Sequence, residues 1–258
     1  MGIRADYLIV GSGVAGLYFA LKASEKGSVV LITKRETRDS NTVYAQGGIA
    51  SVTDGADSLE MHVRDTLAAG DGLCHQAAVE AAVHEGPAVI DDLIEIGTRF
   101  SRTEEGELSL GREGGHSQFR IVHADDLTGQ EVSRALVAAV KARVHILEHH
   151  LAADLVVDAA GVCRGIHALD LQKGNLVEVA APVTMLATGG AGQVYASTTN
   201  PAVATGDGVA MAYRAGATVG NMEFFQFHPH HALRSGRAVL PDQRGAPRTR
   251  GGPRGRPG

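Results

Sequence analysis

Three glycines at the spacing Gly-x-Gly-x-x-Gly occupy residues 11–16, between an apolar segment and a helical one. The pattern predicts a short buried strand at Ala5–Val10 and a helix at Leu17–Lys26, which Gly27 ends as a C-cap. Ser28–Thr33, rich in Val, Leu and Ile, is predicted to be a second buried strand. A strand, turn, helix and strand within so short a stretch indicate an α/β fold with parallel strands.

Each glycine of this turn has a predicted role. Gly11 makes the tight turn out of the strand, Gly13 lets a pyrophosphate approach the backbone, and Gly16 lets the helix pack closely on the sheet. Free N–H groups and the dipole at the helix N-terminus favour anions there. Because the motif has a strand before it and a helix after it, the segment predicts a dinucleotide-binding site.

The identity of the dinucleotide stays open at this point. The fingerprint expects an acidic residue about 20 positions further on, and the chain offers Lys34-Arg35-Glu36 there. Glu36 could accept the ribose hydroxyls, whereas Lys34 and Arg35 could bind a 2′-phosphate. Spacing alone does not decide between them.

Further elements are predicted along the chain. Four more segments have the apolar periodicity of helices: Asp57-Ser58 as a cap followed by a helix to about Ala69, Gln76–Ile96 with an interruption at Gly86-Pro87, Thr128–Ala142, and Gly208–Ala215. Residues 97–123 are predicted to be irregular. Apolar or alternating runs predict an antiparallel meander made of Val144–Leu147, Ala153–Val157, Cys163–Leu171 and Leu176–Leu186, which returns to a buried strand at Val183–Ala187.

Composition narrows the class of protein. The 258 residues, 44% hydrophobic and 21% charged, are typical of a soluble globular chain. The two distant cysteines, Cys74 and Cys163, are expected to be reduced thiols, and no apolar run reaches the roughly 18 residues of a membrane span. Residues 1–6 lead directly into a strand with no signal peptide pattern. We therefore expect a cytoplasmic protein without a membrane partner.

The last 25 residues differ from the rest. Residues 234–258 contain seven arginines and one acid, a charge of +6, so the net −5 leaves −11 for residues 1–233. Such a segment could be a nucleic-acid arm or a disordered basic tail, but we expect no nucleic-acid partner. Read one nucleotide later, the codons of residues 241–250 permit a sequence that resembles the family named below, so our hypothesis is a frameshift near residues 230–239. The expected division is 1–233 as the folded part and 234–258 as the tail.

The motifs together resemble one flavoprotein family. The stretches that carry the resemblance are Ala5–Gly16, Ser40–Val52, Arg112–Ser117, His123–Glu131, Ala187–Asn200, Gly206–Ala215 and Asn221–Pro229. They are similar to the family of L-aspartate oxidase, succinate dehydrogenase and fumarate reductase. The resemblance implies an α/β, Rossmann-like FAD-binding domain with an antiparallel β meander and the start of a capping domain. It also implies that the chain is shorter than its relatives, whose remaining substrate-binding residues lie in a part absent here.

The resemblance implies FAD as cofactor and a set of residues around it. These are Gly11, Ser12, Gly13, Val14, Ala15, Gly16, Lys34, Asn41, Thr42, Val43, Tyr44, Ala45, Gln46, Gly47, Gly48 and Asp207. In the succinate dehydrogenase and fumarate reductase branches a histidine at the position of Asn41 carries the flavin covalently. An asparagine amide is not a comparable nucleophile, so the resemblance implies non-covalent FAD, with Lys34 near the adenosine ribose.

The resemblance also implies the chemistry. Glu113 would accept the α-ammonium of L-aspartate and His228 would bind a substrate carboxylate, although His230-His231 departs from the family pattern after Pro229. The implied reaction oxidises L-aspartate to iminoaspartate for quinolinate and NAD biosynthesis, with oxygen or fumarate as electron acceptor and quinolinate synthase as a possible pathway partner. The alternatives are an inactive FAD-binding fragment, or a dicarboxylate dehydrogenase subunit that works with an iron–sulfur partner. No metal site is expected.

Overall fold

The computed structural model describes residues 2–226 and the backbone of two short strands beyond them. The strands are β1 (Ile3–Arg4), β2 (Tyr7–Val10), β3 (Val29–Ile32), β4 (Ile49–Ala50), β5 (Leu110–Gly111), β6 (Ile121–Val122), β7 (His145–Leu147), β8 (His150–Val157), β9 (Cys163–Asp170), β10 (Leu176–Ala180), β11 (Val183–Leu186), β12 (Leu233–Arg234) and β13 (Arg237–Ala238). The helices are α1 (Val14–Ala23), α2 (Leu59–Ala69), α3 (Gln76–Ile96), α4 (Thr128–Lys141) and α5 (Asp207–Arg214), and 3-10 turns lie at Asn41–Tyr44 and Gly192–Val194.

A four-stranded parallel sheet forms the centre, in the order β11-β2-β3-β7. All four residues of β3 are buried, as the run of Val, Leu and Ile predicts. Ile9 and Leu31 pack with α1, α3 and α4 on one face, while Leu8 and Val10 pack with the meander on the other. Because both faces are covered at its centre, the two central strands β2 and β3 are apolar and almost fully buried, as expected for a parallel sheet.

Three segments of the predicted meander form the antiparallel sheet β8-β9-β10, with β1 added in parallel beside β10. The assignment of Val144–Leu147 to the meander was wrong, because its strand β7 pairs in parallel with β3 in the central sheet. The predicted strand that follows the meander is present as β11, and it pairs in parallel with β2 in the central sheet. The prediction that this strand is buried was wrong, since its residues are half-buried or exposed. Strand β11 lies at the edge of the sheet, so a neighbouring strand covers only one of its sides. An apolar run does not by itself distinguish such an edge strand from a fully buried one.

Helix α1 begins earlier and ends earlier than predicted, and the C-cap assigned to Gly27 was wrong. The helix ends at Ala23 with Ser24 as its cap in a right-handed conformation. Gly27 is required for a different reason. A Cβ at this position would lie 2.7 Å from Asp6 Oδ2, and that carboxylate accepts hydrogen bonds from the backbone N–H and hydroxyl of Ser28.

The region predicted to be irregular, residues 97–123, contributes β5 and β6, which join β4 in a small antiparallel sheet. Helix α3 runs without a break through Pro87, so the predicted interruption was wrong. Its buried residues Val83, Ile90 and Leu93 keep both halves against the core. This tertiary packing outweighs the local cost of proline, about 3 kcal/mol in a helix interior.

The predicted boundary between residues 233 and 234 falls inside β12, which pairs antiparallel with β13, and that boundary stays a prediction. Among the described residues, none of the helices is both long enough and apolar enough to span a bilayer.

Candidate functional site

The glycine turn lies at the carboxyl end of β2, as its sequence context predicts. Gly11 has a φ of +112°, and a Cβ there would lie 2.2 Å from the carbonyl oxygen of Ala187. A Cβ on Gly16 would lie 2.0 Å from the carbonyl oxygen of Gly11, so only glycine allows α1 to pack this closely on the turn. At Gly13 the nearest atom to such a Cβ is Thr42 Oγ1 at 3.5 Å, so the outer side of the turn is open to a ligand.

Thr42 joins this turn to the loop that follows β3. Its Oγ1 accepts the backbone N–H of Val14 at 2.9 Å, while the first bond within α1 runs from the N–H of Leu17 to the carbonyl of Gly13. Four N–H groups at a helix start lack partners inside the helix. Thr42 therefore satisfies one of them from a position 28 residues along the chain.

The 3-10 turn at Asn41–Tyr44 is also fixed on its other sides. The Asn41 amide donates to Asn200 Oδ1 at 3.1 Å, and the carbonyl of Ala45 accepts the N–H of Gly129 at 3.0 Å. A Cβ on Gly129 would lie 1.8 Å from the carbonyl oxygen of Thr42. The turn thus bridges the glycine turn, the segment around Asn200 and the start of α4.

A network of polar side chains connects the segment after β3 to the start of α5. Lys34, at the end of β3, forms an ion pair with Asp207 at 2.6 Å between Nζ and Oδ2 and also donates to the Thr205 hydroxyl. Asp207 begins α5, and Gly208 there packs against Thr188, whose Oγ1 would lie 1.9 Å from a Cβ. The network brings two residues 173 positions apart into one site.

These segments surround a cleft of about 640 Å³, within the range of small-molecule and cofactor sites. Nine of the residues predicted to bind the cofactor line it: Gly11, Ser12, Gly13, Val14, Ala15, Lys34, Asn41, Thr42 and Asp207. Most of the lining is apolar and it includes backbone of Ala187–Gly190. The open side of Gly13, the helix N-terminus and the apolar walls fit a long anionic ligand with flat rings.

The other predicted residues lie near the cleft without lining it: Gly16, Val43, Tyr44, Ala45, Gln46, Gly47 and Gly48. Gly48 has a packing requirement, because a Cβ there would lie 2.4 Å from Val122 O. Gly47 is different, since the atom nearest to its Cβ position is Glu113 Oε1 at 3.5 Å. The structure therefore brings Glu113 to the loop that begins in the cleft. His228 lies outside the described residues.

A buried cluster of charges contacts the Glu113 loop, and no sequence motif indicates this cluster. The Arg120 side chain is fully buried. Its Nε and Nη2 donate to the two oxygens of Asp57 at 2.7 and 2.8 Å, and its Nη1 donates to Asp65 Oδ2 at 2.6 Å. Asp57 lies just before α2, Asp65 lies in the middle of α2 and Arg120 lies just before β6, so no local spacing could have predicted their contact.

Histidines complete this cluster. His116 Nδ1 is 3.3 Å from Arg120 Nη1, and its ring centroid is 5.7 Å from that of His62. His62 is buried, and its Nδ1 has no hydrogen-bond partner among the residues that the structure describes. Burial, then the charge of Arg120 and the neighbouring His116, lower the pKa of His62.

Asp65 remains a carboxylate despite its surroundings. Burial acts to raise its pKa, but hydrogen bonds from the Ser117 backbone and hydroxyl, together with Arg120, outweigh burial and lower the pKa to about 2. Asp57 and Asp65 thus face one guanidinium, and the cluster holds one more negative charge than positive. Among residues 2–226, no group of three or more His, Cys, Asp or Glu side chains is arranged to hold a metal ion.

Comparison with known proteins agrees with this geometry. The model of the family described as FAD binding domain matches residues 6–249. The chain is 50% identical over 229 residues to the chloroplastic L-aspartate oxidase of Arabidopsis thaliana, covering 87% of this chain and 35% of that protein. It is 50% identical over 233 residues to L-aspartate oxidase of Streptomyces coelicolor, covering 88% of this chain and 40% of that protein.

Among solved structures, the quinol fumarate reductase flavoprotein of E. coli superposes with a TM-score of 0.79 at 37% identity, covering 82% of this chain and 37% of that one. The chain therefore spans less than half the length of these relatives. The predicted Rossmann-like FAD-binding fold is confirmed. The chain belongs to the FAD binding domain family, it is similar to L-aspartate oxidases and to fumarate reductase as its motifs indicate, and its cofactor is FAD.

Proposed function

We propose that this chain carries the FAD site and part of the substrate site of an L-aspartate oxidase. The observation that carries the proposal is the position of Glu113 beside Gly47, at the loop whose first residues line the cofactor cleft. The identity of 42–50% to L-aspartate oxidases over most of this chain supports it. The proposed overall reaction converts L-aspartate to iminoaspartate, with oxygen or fumarate as the final electron acceptor.

FAD, when bound, supplies the acceptor for the hydride that leaves Cα of L-aspartate. The protein supplies binding and orientation. The helix N-terminus and the backbone of Ser12, Gly13, Val14 and Ala15 would hold the pyrophosphate, and the Lys34–Asp207 pair would stand at the adenosine ribose. Residues Asn41–Gly48 would pass along the flavin.

Glu113 is the proposed specificity residue. Its carboxylate would accept the α-ammonium group that distinguishes L-aspartate from succinate. An ammonium–carboxylate hydrogen bond is charge-assisted and therefore stronger than a neutral one. His228, which lies outside the described residues, would bind a substrate carboxylate.

We propose that the flavin is held without a covalent bond. Asn41 lines the cleft, but its amide is not a nucleophile, and its side-chain nitrogen already donates to Asn200. The hydrogen bond from Asn41 to Asn200 holds the 3-10 turn at Asn41–Tyr44 in place. Acid precipitation of the loaded protein should release all yellow colour into the supernatant.

The product iminoaspartate would feed quinolinate formation and NAD biosynthesis, so quinolinate synthase is the proposed pathway partner. A cytoplasmic location fits the two free cysteines. One alternative is that the chain binds FAD without turnover. The other, a succinate dehydrogenase-like subunit, is favoured by the structural similarity to fumarate reductase. Glu113 and Asn41 weigh against it.

The test is anaerobic flavin reduction. The protein is loaded with FAD, and L-aspartate or succinate is added while absorbance near the flavin maximum is followed. Bleaching by L-aspartate alone, lost in the Glu113→Gln variant, supports the proposal. Bleaching by succinate supports the dehydrogenase alternative, and stable colour with both substrates supports the non-catalytic one.

A further inference from the structure

We infer that the buried Arg120 cluster positions Glu113, with His116 as the link between the two. This inference rests on the proposed role of Glu113 in binding the substrate ammonium. It concerns Arg120, Asp65 and His116, which take no direct part in the proposed binding of the substrate ammonium. Each is a positioning residue, since none is placed against the substrate or the cofactor.

The cluster is poorly explained by stability alone. A buried ion pair often contributes no more than apolar residues of the same volume, because desolvation offsets the attraction. Arg120 nevertheless has a bidentate contact with Asp57 and a second carboxylate in Asp65. Its backbone is fixed as well, since its N–H donates to Gly111 and its carbonyl accepts from Ser51. The guanidinium is therefore a fixed point between α2 and the small sheet.

The Glu113 loop contacts the Arg120 cluster at two adjacent residues, Ser117 through Asp65 and His116 through Arg120 itself. Ser117 donates both its backbone N–H and its hydroxyl to Asp65 Oδ2 at 2.8 Å. His116 presents Nδ1 to Arg120 Nη1 at 3.3 Å. The N–H of His116 also donates to the carbonyl of Glu113 at 3.3 Å, which closes a turn over residues 113–116. Fixing His116 therefore fixes the residue that begins the turn.

The two glycines between Glu113 and His116 make this link necessary. Neither Gly114 nor Gly115 has a side chain to hold the loop, and Gly115 adopts a φ of +85°. Glycine increases the number of conformations available to a loop. The exposed Glu113 carboxylate thus depends on the anchor three residues further on.

The contact also defines the role of His116 Nδ1. A guanidinium only donates hydrogen bonds, so Nδ1 accepts from Arg120 Nη1 in this contact. Asparagine offers an oxygen acceptor at about the same distance from the backbone as Nδ1. The variants His116→Asn and His116→Leu therefore separate the acceptor from the mere bulk of the side chain.

The experiment combines two measurements on the FAD-loaded chain. The first is amide hydrogen exchange of a peptide covering residues 111–118, with residues 150–157 as an internal reference. We expect exchange of the loop about tenfold faster in H116L, near wild type in H116N, and unchanged at the reference. Equal exchange in wild type and H116L, or equally fast exchange in H116L and H116N, would overturn the inference. If H116L does not fold, H116A serves the same comparison.

The second measurement is ligand binding by flavin absorbance. H116L should weaken binding of L-aspartate about tenfold and leave binding of succinate unchanged, the same pattern that we expect for Glu113→Gln, because only L-aspartate has the ammonium group. Equal weakening of both ligands would overturn the positioning role. If the wild type binds no L-aspartate, the proposed function fails, and the exchange result still decides whether the cluster holds the loop.

Discussion

The glycine turn and the Glu113 loop are stabilised in different ways. The turn at residues 11–16 is built from backbone, and its key contacts are close approaches that any Cβ would prevent. The loop at residues 112–117 is held by charged side chains from α2 and from Arg120. The first is rigid because nothing larger fits, and the second is rigid only while its charges remain paired. Sterically fixed and electrostatically fixed parts of one site should therefore respond differently to mutation and to pH.

The largest expected effect is on the charged side of this comparison. Arg120→Met removes the only cation that faces Asp57 and Asp65 in the described structure, and should lower the free energy of unfolding by about 3–5 kcal/mol. Urea denaturation at pH 7 measures it. Arg164→Met, which breaks the exposed pair with Asp158, should cost at most about 1 kcal/mol.

A third variant identifies the cause of that loss. Adding Asp57→Asn and Asp65→Asn to Arg120→Met removes the uncompensated charges and should restore part of the lost stability. Equal stability of the single and triple variants would contradict an electrostatic origin.

A smaller effect is expected on the steric side. Gly16→Ala places a Cβ 2.0 Å from the carbonyl oxygen of Gly11, which must shift, and should cost about 1–3 kcal/mol. FAD affinity should fall with it, because the same turn faces the cleft. Gly55→Ala is the matched control, since its Cβ meets nothing within 4 Å. Thermal unfolding and flavin fluorescence measure the two effects, and a Gly16→Ala protein with normal affinity would show that the turn tolerates displacement.

The smallest expected effect is a pH dependence of the free energy of unfolding that comes from the charged cluster and not from the glycine turn. Folding lowers the pKa of His62 from its ordinary value of 6.5, so on acidification the imidazole of the unfolded chain is protonated before that of the folded chain. The free energy of unfolding therefore keeps its full value above about pH 6.5 and falls as the pH drops below it. The slope cannot exceed about 1.4 kcal/mol per pH unit for one group. Asp65, with a pKa of about 2, stays ionised throughout this range, and its contribution is lost only below about pH 4.

Unfolding free energies at pH 7.5 and 5.5 test this prediction. His62→Gln should flatten the dependence between the two values, while His84→Gln, at an exposed position on α3, should leave it unchanged. Equal slopes in both variants would place the titrating group elsewhere.

The parts of this molecule that could be predicted from the sequence are those set by residues close to one another along the chain. Gly11, Gly13 and Gly16 act within one turn, so their spacing alone indicates it, and Ser58 caps α2 as predicted. Pro87 and Gly27 were misread because tertiary contacts, with the core and with Asp6, override local preference. The Arg120 cluster could not be predicted, since its partners are 55 and 63 residues away and have no shared motif.

Thr42 joins the 3-10 turn at Asn41–Tyr44 and the glycine turn at residues 11–16 into a single mechanical unit. A hydroxyl that holds a helix N–H cannot move without changing the donors that this helix end offers to an anion. Linkage is reciprocal, so order in residues 41–45 and affinity for the dinucleotide must rise or fall together. Substitutions in this loop will register as altered cofactor retention even where the replaced side chain never touches the cofactor.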